Sequence, residues 1–209
     1  RYLKSKANEI LSSEENDAYT YKSYVGEHGI SVERGDSVWF LERVKGKLCA
    51  HVANGPVVVD SKIWATIIRG YRVYGDKAVE ITSNTILPYV NGCSTAQLFP
   101  PDRAGDPTLQ LLKIPPFAAE QAHHIHSTVR LVYVLDGYGY SIVGMRDKHV
   151  KQKLTPGMLI VLQKMAPHHF ETESEWLTVA PLHVFSALPN GLESNHPMFN
   201  GTVLTNHGK

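Results

Sequence analysis

Short apolar runs separated by turn residues fill most of the chain from residue 37 onward. The runs are rich in Val, Ile, Tyr and Trp, as in residues 38–41, and Gly, Asn and Asp separate them. This spacing is typical of an all-β sandwich or barrel. Residues 1–36 are polar and mixed in texture, and within them Tyr2 to Leu11 reads as a short helix. The pattern therefore predicts an all-β fold preceded by an N-terminal extension.

A loop dense in Pro, Gly and Asp at residues 99–108 interrupts the β pattern. The sequence therefore predicts two parts, residues 1–98 with the N-terminal extension and residues 99–209. Within the second part, a strand from Arg130 to Leu135 is followed by Asp136-Gly137, which predicts a hairpin.

A faint internal repeat relates the two parts. Val38–Leu41 resembles Val132–Leu135, and Gly55–Val59 resembles Gly157–Val161. Two interpretations stay open here. Either the halves are homologous, or any two β segments with glycine turns look alike.

Composition narrows the class of protein before any chemistry is considered. Of the 209 residues, 43% are hydrophobic and 20% charged, as in soluble globular proteins, and the net charge is +1. That balance gives no reason to expect nucleic acid or an anionic membrane as partner. No apolar run approaches the about 20 residues of a membrane span. Cys49 and Cys93 lack metal or redox spacing and are interpreted as reduced thiols, so the predicted location is cytoplasmic.

Histidine is the unusual residue, with 11 copies of which several are clustered. Side chains alternate along a strand, so His124 and His126 point to one face. His168, from a later strand, can complete a set of three. Burying three imidazoles without a partner is costly, and one metal ion accounts for all of them. His123 and His169 fall on the opposite face and are expected to be ordinary hydrogen-bonding residues.

These stretches resemble the two sequence motifs of the cupin superfamily. The first motif is His-x-His, an acidic residue and then Gly. His124, His126 and Gly137 fall at those spacings, with Arg130 where Glu is expected. The second motif runs from Pro-Gly to Pro-His, and the segment from Pro156 to His168 matches its length. Gln163 and Met165 replace the Pro and Gly that the motif usually has at its turn.

The resemblance is specific over residues 110–185 and implies a cupin barrel, a jelly-roll of double-stranded β-helix type. With the first half included, the whole chain resembles a bicupin whose N-terminal half is degenerate and has lost its ligands. The resemblance also implies a divalent metal ion held by His124, His126 and His168, with Fe(II) favoured over Mn, Ni or Zn. Known cupins range from dioxygenases and isomerases to sensor domains, so the fold alone does not select a reaction.

Arg130 decides what chemistry such a site supports, because a guanidinium cannot ligate a metal. If it points inward, it binds the acid group of a substrate. The alternative is that it leans outward and pairs with Asp136 or Glu120. By alternation, Val132 and Val134 are predicted to line the barrel beyond Arg130. An apolar wall is predicted from Tyr138 and Tyr140 or their neighbours, with Met158, Ile160 and Phe170.

Some cupin dioxygenases use three histidines without the Glu. The leading prediction is therefore a metal-dependent, dioxygenase-like enzyme acting on a small anionic organic substrate. The alternatives are a non-catalytic cupin that senses or binds a small molecule, and a metal-free structural barrel. Cupins often pair through edge strands, and residues 1–36 are expected to cross to a partner subunit, so we expect a homodimer.

Overall fold

The computed structural model describes residues 1–3, 9–12, 20–26, 28–102, 105–145, 147–184 and 203–204. The chain divides into two compact units, one of Leu3–Ser83 and one of Arg1–Tyr2 with Asn84–Lys209. The sequence placed the division between residues 98 and 99. In the structure the strand Ser94–Phe99 belongs to the second unit, so the units part before this strand rather than at its end.

Strands dominate both units, and the described residues contain no α-helix, only a 3-10 turn at Val90–Gly92. In chain order the strands are β1 (Tyr2–Leu3), β2 (Glu9–Ser12), β3 (Tyr21–Val25), β4 (His28–Val32), β5 (Ser37–Val44), β6 (Lys47–Asn54), β7 (Val57–Ser61), β8 (Trp64–Ile68), β9 (Lys77–Glu80), β10 (Leu87–Pro88), β11 (Ser94–Phe99), β12 (Thr108–Ile114), β13 (His124–Ile125), β14 (Val129–Gly137), β15 (Gly139–Met145), β16 (Lys148–Leu154), β17 (Leu159–Leu162), β18 (His168–Glu171), β19 (Leu177–Val184) and β20 (Val203–Leu204). The all-β prediction is confirmed. The helix predicted at Tyr2 to Leu11 is wrong, since β1 and β2 lie there. Nothing in the described part of the chain forms a helix long and apolar enough to cross a membrane.

The first unit consists of a six-stranded antiparallel sheet and a two-stranded one. The larger sheet has the order β2-β3-β8-β5-β6-β9, and β4 pairs with β7. Alternating apolar side chains of these strands meet in one core, which includes Ile30, Val38, Phe40, Val59 and Ile67. Burial of this set explains why the Val- and Ile-rich runs of the sequence form strands here.

The second unit also consists of two sheets. Seven strands have the order β1-β17-β14-β19-β12-β11-β10, and five have the order β16-β15-β18-β13-β20. Residues of both sheets form its core, among them Val132, Val134, Ile160 and Phe170. Arg1, which precedes the edge strand β1, exchanges backbone hydrogen bonds with Val161 of the neighbouring strand β17, at 2.8 and 2.9 Å.

The strand orders of the two units share a pattern. In the first unit, neighbouring strands follow the order β3-β8-β5-β6, and in the second they follow β12-β19-β14-β17. Taken one by one, these strands correspond in their sequence along the chain as well as in their place in the sheet. The pair β4-β7 corresponds in the same way to β13-β18. The hairpin of β15 and β16 has no counterpart in the first unit. Under this correspondence Val38–Leu41 matches Val132–Leu135, as the sequence repeat suggested. Gly55–Val59 leads into β7 and Gly157–Val161 into β17, which are not equivalent, so that part of the repeat is wrong.

Gly137 marks the point where the chain leaves one sheet for the other. Its φ is +77°, a left-handed conformation that favours glycine, and a Cβ there would collide with the backbone of Trp176. The hairpin predicted at Asp136-Gly137 is wrong, because β14 pairs with β17 and β19 whereas β15 pairs with β16 and β18. The turn residues were recognised correctly, but they form a crossover between sheets.

Candidate metal centre

Three histidines meet inside the second unit. His124 on β13 lies directly opposite His168 on β18, and His126 follows β13 by one residue. All three are buried, and their ligand atoms lie within 4.8 Å of one another. The structure therefore brings together the three residues that the sequence singled out. Strand parity correctly predicted that His124 and His126 point the same way, although β13 is only two residues long.

Hydrogen bonds orient two of these imidazoles with Nε2 toward the cluster. The Nδ1 of His124 lies 2.7 Å from the carbonyl oxygen of Ala122, and the Nδ1 of His168 lies 2.7 Å from that of Ala166. A carbonyl only accepts, so each Nδ1 carries the hydrogen and each Nε2 keeps a lone pair in the neutral ring. This is the outer-shell arrangement that fixes metal-binding histidines in proteins.

The inward nitrogen atoms lie close together. The Nε2 atoms of His124 and His126 are 2.8 Å apart, and the buried Nε2 of His168 has no hydrogen-bond partner. An unsatisfied buried acceptor is costly, and a cation at this point would satisfy it. The donor set therefore fits a divalent metal ion, for which neutral imidazole is a common ligand.

Burial keeps the cluster neutral. It lowers the pKa of His124 to about 4, and it also lowers the pKa values of His126 and His168. The positive charge of Arg130 contributes to the lowering at all three residues. At neutral pH the three rings are therefore in the uncharged form that binds metals.

Arg130 lines a cavity of about 240 Å³ inside the barrel. The lining combines polar and apolar residues and consists of Tyr89, Thr95, Gln97, Gln110, Leu112, Glu120, Arg130, Val132, Phe170, Pro181 and His183. The Nε of Arg130 is buried without a hydrogen-bond partner. Of the two orientations weighed from the sequence, the structure has the inward one.

Glu120 faces this cavity as a buried carboxyl group, with only 4% of its surface exposed. Its Oε2 accepts a hydrogen bond of 3.3 Å from the backbone N–H of Phe170. Burial raises the pKa of Glu120, and the nearby Arg130 partly offsets that rise. The two side chains interact through the cavity, but the salt bridges found among the described residues do not include this pair. Asp136, the other partner considered for Arg130, is exposed.

Two residues that line the cavity were not predicted to do so from the sequence: His183, and Glu120, which was considered only as an outward partner of Arg130. His183 on β19 lies directly opposite Arg130 on β14 and is buried beside it. Alternation along β19 from Leu177 and Val179 would have placed His183 on the inner face. Glu120 lies in a segment without regular alternation, and no local sequence signal identifies it.

The predicted apolar wall is confirmed in part. Val132, Ile160, Met158 and Phe170 belong to the buried core. Tyr138 and Tyr140 do not, because Tyr138 is exposed, Tyr140 is half-buried, and a lysine lies over each ring. Lys153 lies 5.7 Å from the Tyr138 ring centre and Lys151 lies 4.2 Å from that of Tyr140.

Comparison with known proteins supports the assignment of this fold. Residues 110–184 match the family model of the cupin domain, Cupin_2. No curated protein matches the chain. Among solved structures, a cupin 2 conserved barrel domain protein from Leptotrichia buccalis is 15% identical, with a TM-score of 0.48 over 87% of this chain and 92% of that one.

Two further solved structures are similar over about half of this chain. The polyketide cyclase RemF from Streptomyces resistomycificus is 21% identical, with a TM-score of 0.42 over 50% of this chain and 72% of that one. The structure of Fe(II)-HppE with an alternative substrate is 13% identical, with a TM-score of 0.41 over 48% of this chain and 55% of that one. The motif spacing and the family model agree over residues 110–184, and this part of the chain is a cupin domain.

Proposed function

We propose that the second unit binds one divalent metal ion through His124, His126 and His168. The observation that carries this proposal is the convergence of three neutral imidazoles on one point, with the Nε2 of His168 buried and unsatisfied. Fe(II) is the favoured ion, with Mn, Ni and Zn as alternatives, because imidazole suits all of these metals. When bound, such an ion supplies open coordination positions for a substrate and for dioxygen.

Arg130 and Glu120 would select the substrate. A buried guanidinium with an unsatisfied Nε favours a carboxylate or a similar oxygen-rich anion, which it can bind in bidentate fashion. Glu120, across the cavity, would accept a hydrogen bond from a hydroxyl or amino group of the same molecule. The cavity of about 240 Å³ is smaller than the about 300–1,000 Å³ of usual ligand pockets. We therefore propose a small organic acid that also carries a hydrogen-bond donor.

Apolar residues would shield the bound molecule from water. Leu112, Val132 and Phe170 also line the cavity. A low-dielectric wall strengthens the interaction of Arg130 with an anion, because less water screens it. We propose an oxygenase-like reaction as the leading activity of this site.

A non-catalytic binding cupin is the second candidate. It is favoured by the composition of the cluster, because Arg130 stands where cupins commonly carry a carboxylate ligand. Oxygen uptake by the Fe(II)-loaded protein with a panel of thiol acids, diketones and aromatic acids separates the two. Turnover of any member supports the oxygenase, and tight binding without oxygen uptake supports the binding protein.

Metal content tests the site itself. Protein purified without added metal is compared with the double variant His124→Ala/His126→Ala and with the control His28→Ala, a half-buried histidine of the first unit. We expect about one ion per chain in the wild type and in the control, and none bound at this site in the double variant. Equal metal content in all three proteins would overturn the metal site.

The first unit is proposed to be a degenerate cupin half. The shared strand order supports this proposal, as does the apolar character of the β4-β7 pair. At the position that corresponds to the histidine pair of β13 and β18, Ile30 lies opposite Val59, and both are buried. A half with this composition has no side chain there that ligates a metal.

A further inference from the structure

The outer face of the five-stranded sheet carries a second histidine cluster. β15 lies between β16 and β18, and His169 on β18 points away from the barrel interior, as does His123 just before β13. These two residues adjoin the inner histidines His168 and His124 in the chain, with opposite side-chain direction. With His149 and Glu171 they line a surface concavity of about 330 Å³.

We propose that His123 and His169 bind a divalent transition-metal ion at this outer site, with water completing the coordination. Zn²⁺ is the ion whose chemistry fits best, since it accepts imidazole nitrogen and water in a site open to solvent. The proposal goes beyond the inner centre and does not depend on it.

The geometry of the pair repeats that of the inner cluster. The Nδ1 atoms of His123 and His169 are 2.8 Å apart, the same separation as the inner Nε2 pair. The rings meet edge to face, with centroids 5.1 Å apart and an interplanar angle of 85°. With zinc–nitrogen bonds of about 2.05 Å, two nitrogen atoms 2.8 Å apart give an N–Zn–N angle of about 86°. An increase of about half an ångström in the distance between the two Nδ1 atoms gives a tetrahedral angle.

The second ring nitrogen of each histidine faces an oxygen acceptor. The Nε2 of His123 donates to the carbonyl oxygen of Gly144 at 2.6 Å, so the Nδ1 of the neutral ring keeps its lone pair. The Nε2 of His169 faces Oε2 of Glu171 at 3.6 Å. If Nε2 carries the hydrogen, the Nδ1 of His169 also has a lone pair, and two lone pairs then face each other across 2.8 Å. A cation between them resolves this arrangement.

A direct hydrogen bond between the Nδ1 atoms of His123 and His169 is the alternative to a metal ion, and it leaves the Nε2 of His169 in a less favourable contact. It requires the hydrogen of His169 on Nδ1, and in a neutral ring Nε2 then points a lone pair at the Glu171 carboxylate. Binding of a metal keeps both outer-shell contacts, one to a backbone carbonyl and one to a carboxylate, as at many metal sites. Lys151 holds the other oxygen of Glu171 at 2.7 Å and thereby fixes the carboxylate.

His149 reaches the same concavity from β16. In the register of β15 and β16 it lies opposite Gly144, whose carbonyl oxygen accepts the hydrogen bond of His123. A Cβ at Gly144 would press on the backbone of Lys148 and His149, and φ there is +119°. The glycine therefore allows the close pairing of β15 and β16 beside this concavity.

Zn²⁺ binding measured against a metal-chelating dye tests the outer site. We expect two ions per chain in the wild type and in the control His28→Ala. We expect one ion in His123→Ala/His169→Ala, and one in His124→Ala/His126→Ala, which lacks only the inner site. Far-UV circular dichroism checks that each variant is folded. Two ions retained by His123→Ala/His169→Ala would overturn the proposal, whereas a failure of the inner site would appear as one ion in the wild type and none in this variant.

A second variant pair and a direct observation keep the test independent of folding. Glu171→Gln is expected to weaken the outer site about tenfold, as for other outer-shell partners, and Glu173→Gln to leave it unchanged. Crystals of the wild type soaked in Zn²⁺ are expected to show an anomalous peak at bonding distance from both Nδ1 atoms. An unaltered hydrogen-bonded pair without this peak, or no effect of Glu171→Gln, would overturn the proposal.

Discussion

Acidification should destabilise the metal-free protein through its inner histidines. In the folded chain, burial lowers the pKa of His124 from 6.5 to about 4. Between these two values the unfolded chain binds more protons than the folded chain. The free energy of unfolding therefore falls as the pH drops below 6.5, and the loss from this residue is complete below about pH 4. Above pH 6.5 both states hold a neutral ring and His124 contributes no slope.

The size of the effect follows from the same two pKa values. From pH 7.5 to 5.0, linkage gives a loss of about 2 kcal/mol from His124 alone, at 1.36 kcal/mol per pKa unit. Urea unfolding in a chelating buffer at both pH values measures it, with His124→Asn as the comparison. We expect the variant to lose about 2 kcal/mol less than the wild type over this range. An equal loss in both proteins would refute the argument from burial.

Three further predictions follow from single features. Gly137→Ala should lower the free energy of unfolding, measured in urea, by at least about 1 kcal/mol, because φ is +77° and the new Cβ meets the backbone of Trp176. Unchanged stability would contradict the crossover geometry. Arg130→Met should abolish calorimetric binding of a small carboxylate to the metal-loaded protein while leaving the metal content intact, and an unchanged affinity would place the anion elsewhere. Light scattering should report twice the chain mass of 23.3 kDa if the expected homodimer forms, and a single-chain mass would contradict it.

The inner histidine cluster was predictable because its signals are local. Alternation along a strand places both residues of a His-x-His pair on one face, and the Pro-His segment supplies a third histidine from a later strand. The structure adds that His124 and His168 lie directly opposite each other. The all-β class followed for the same reason, since short runs of Val, Ile and Tyr between turns have few other solutions.

The rest of the site depends on contacts that have no local pattern. Glu120 reaches the cavity from a loop, and its position follows from the hydrogen bond of 2.8 Å that its backbone N–H donates to the carbonyl oxygen of Phe170. The direction of Arg130 could not be decided from strand parity alone, because the segment between His126 and Val129 is irregular. The Asp136-Gly137 turn shows a similar limit. Its composition predicts a tight reversal, but only the pairing partners of β14 and β15 distinguish a hairpin from a crossover.

The alternation of tandem histidines couples the two faces of the sheet. His123 and His124 share a peptide bond, as do His168 and His169, so a backbone shift that moves an outer ring also moves an inner one. A ligand that fixes one face therefore reduces the conformational freedom left to be lost at the other. By reciprocity, whatever factor an outer ion applies to affinity at the inner centre, the inner ion applies to the outer one. Substitutions on the solvent side of this sheet are then a means of tuning the barrel interior without altering any residue that lines it.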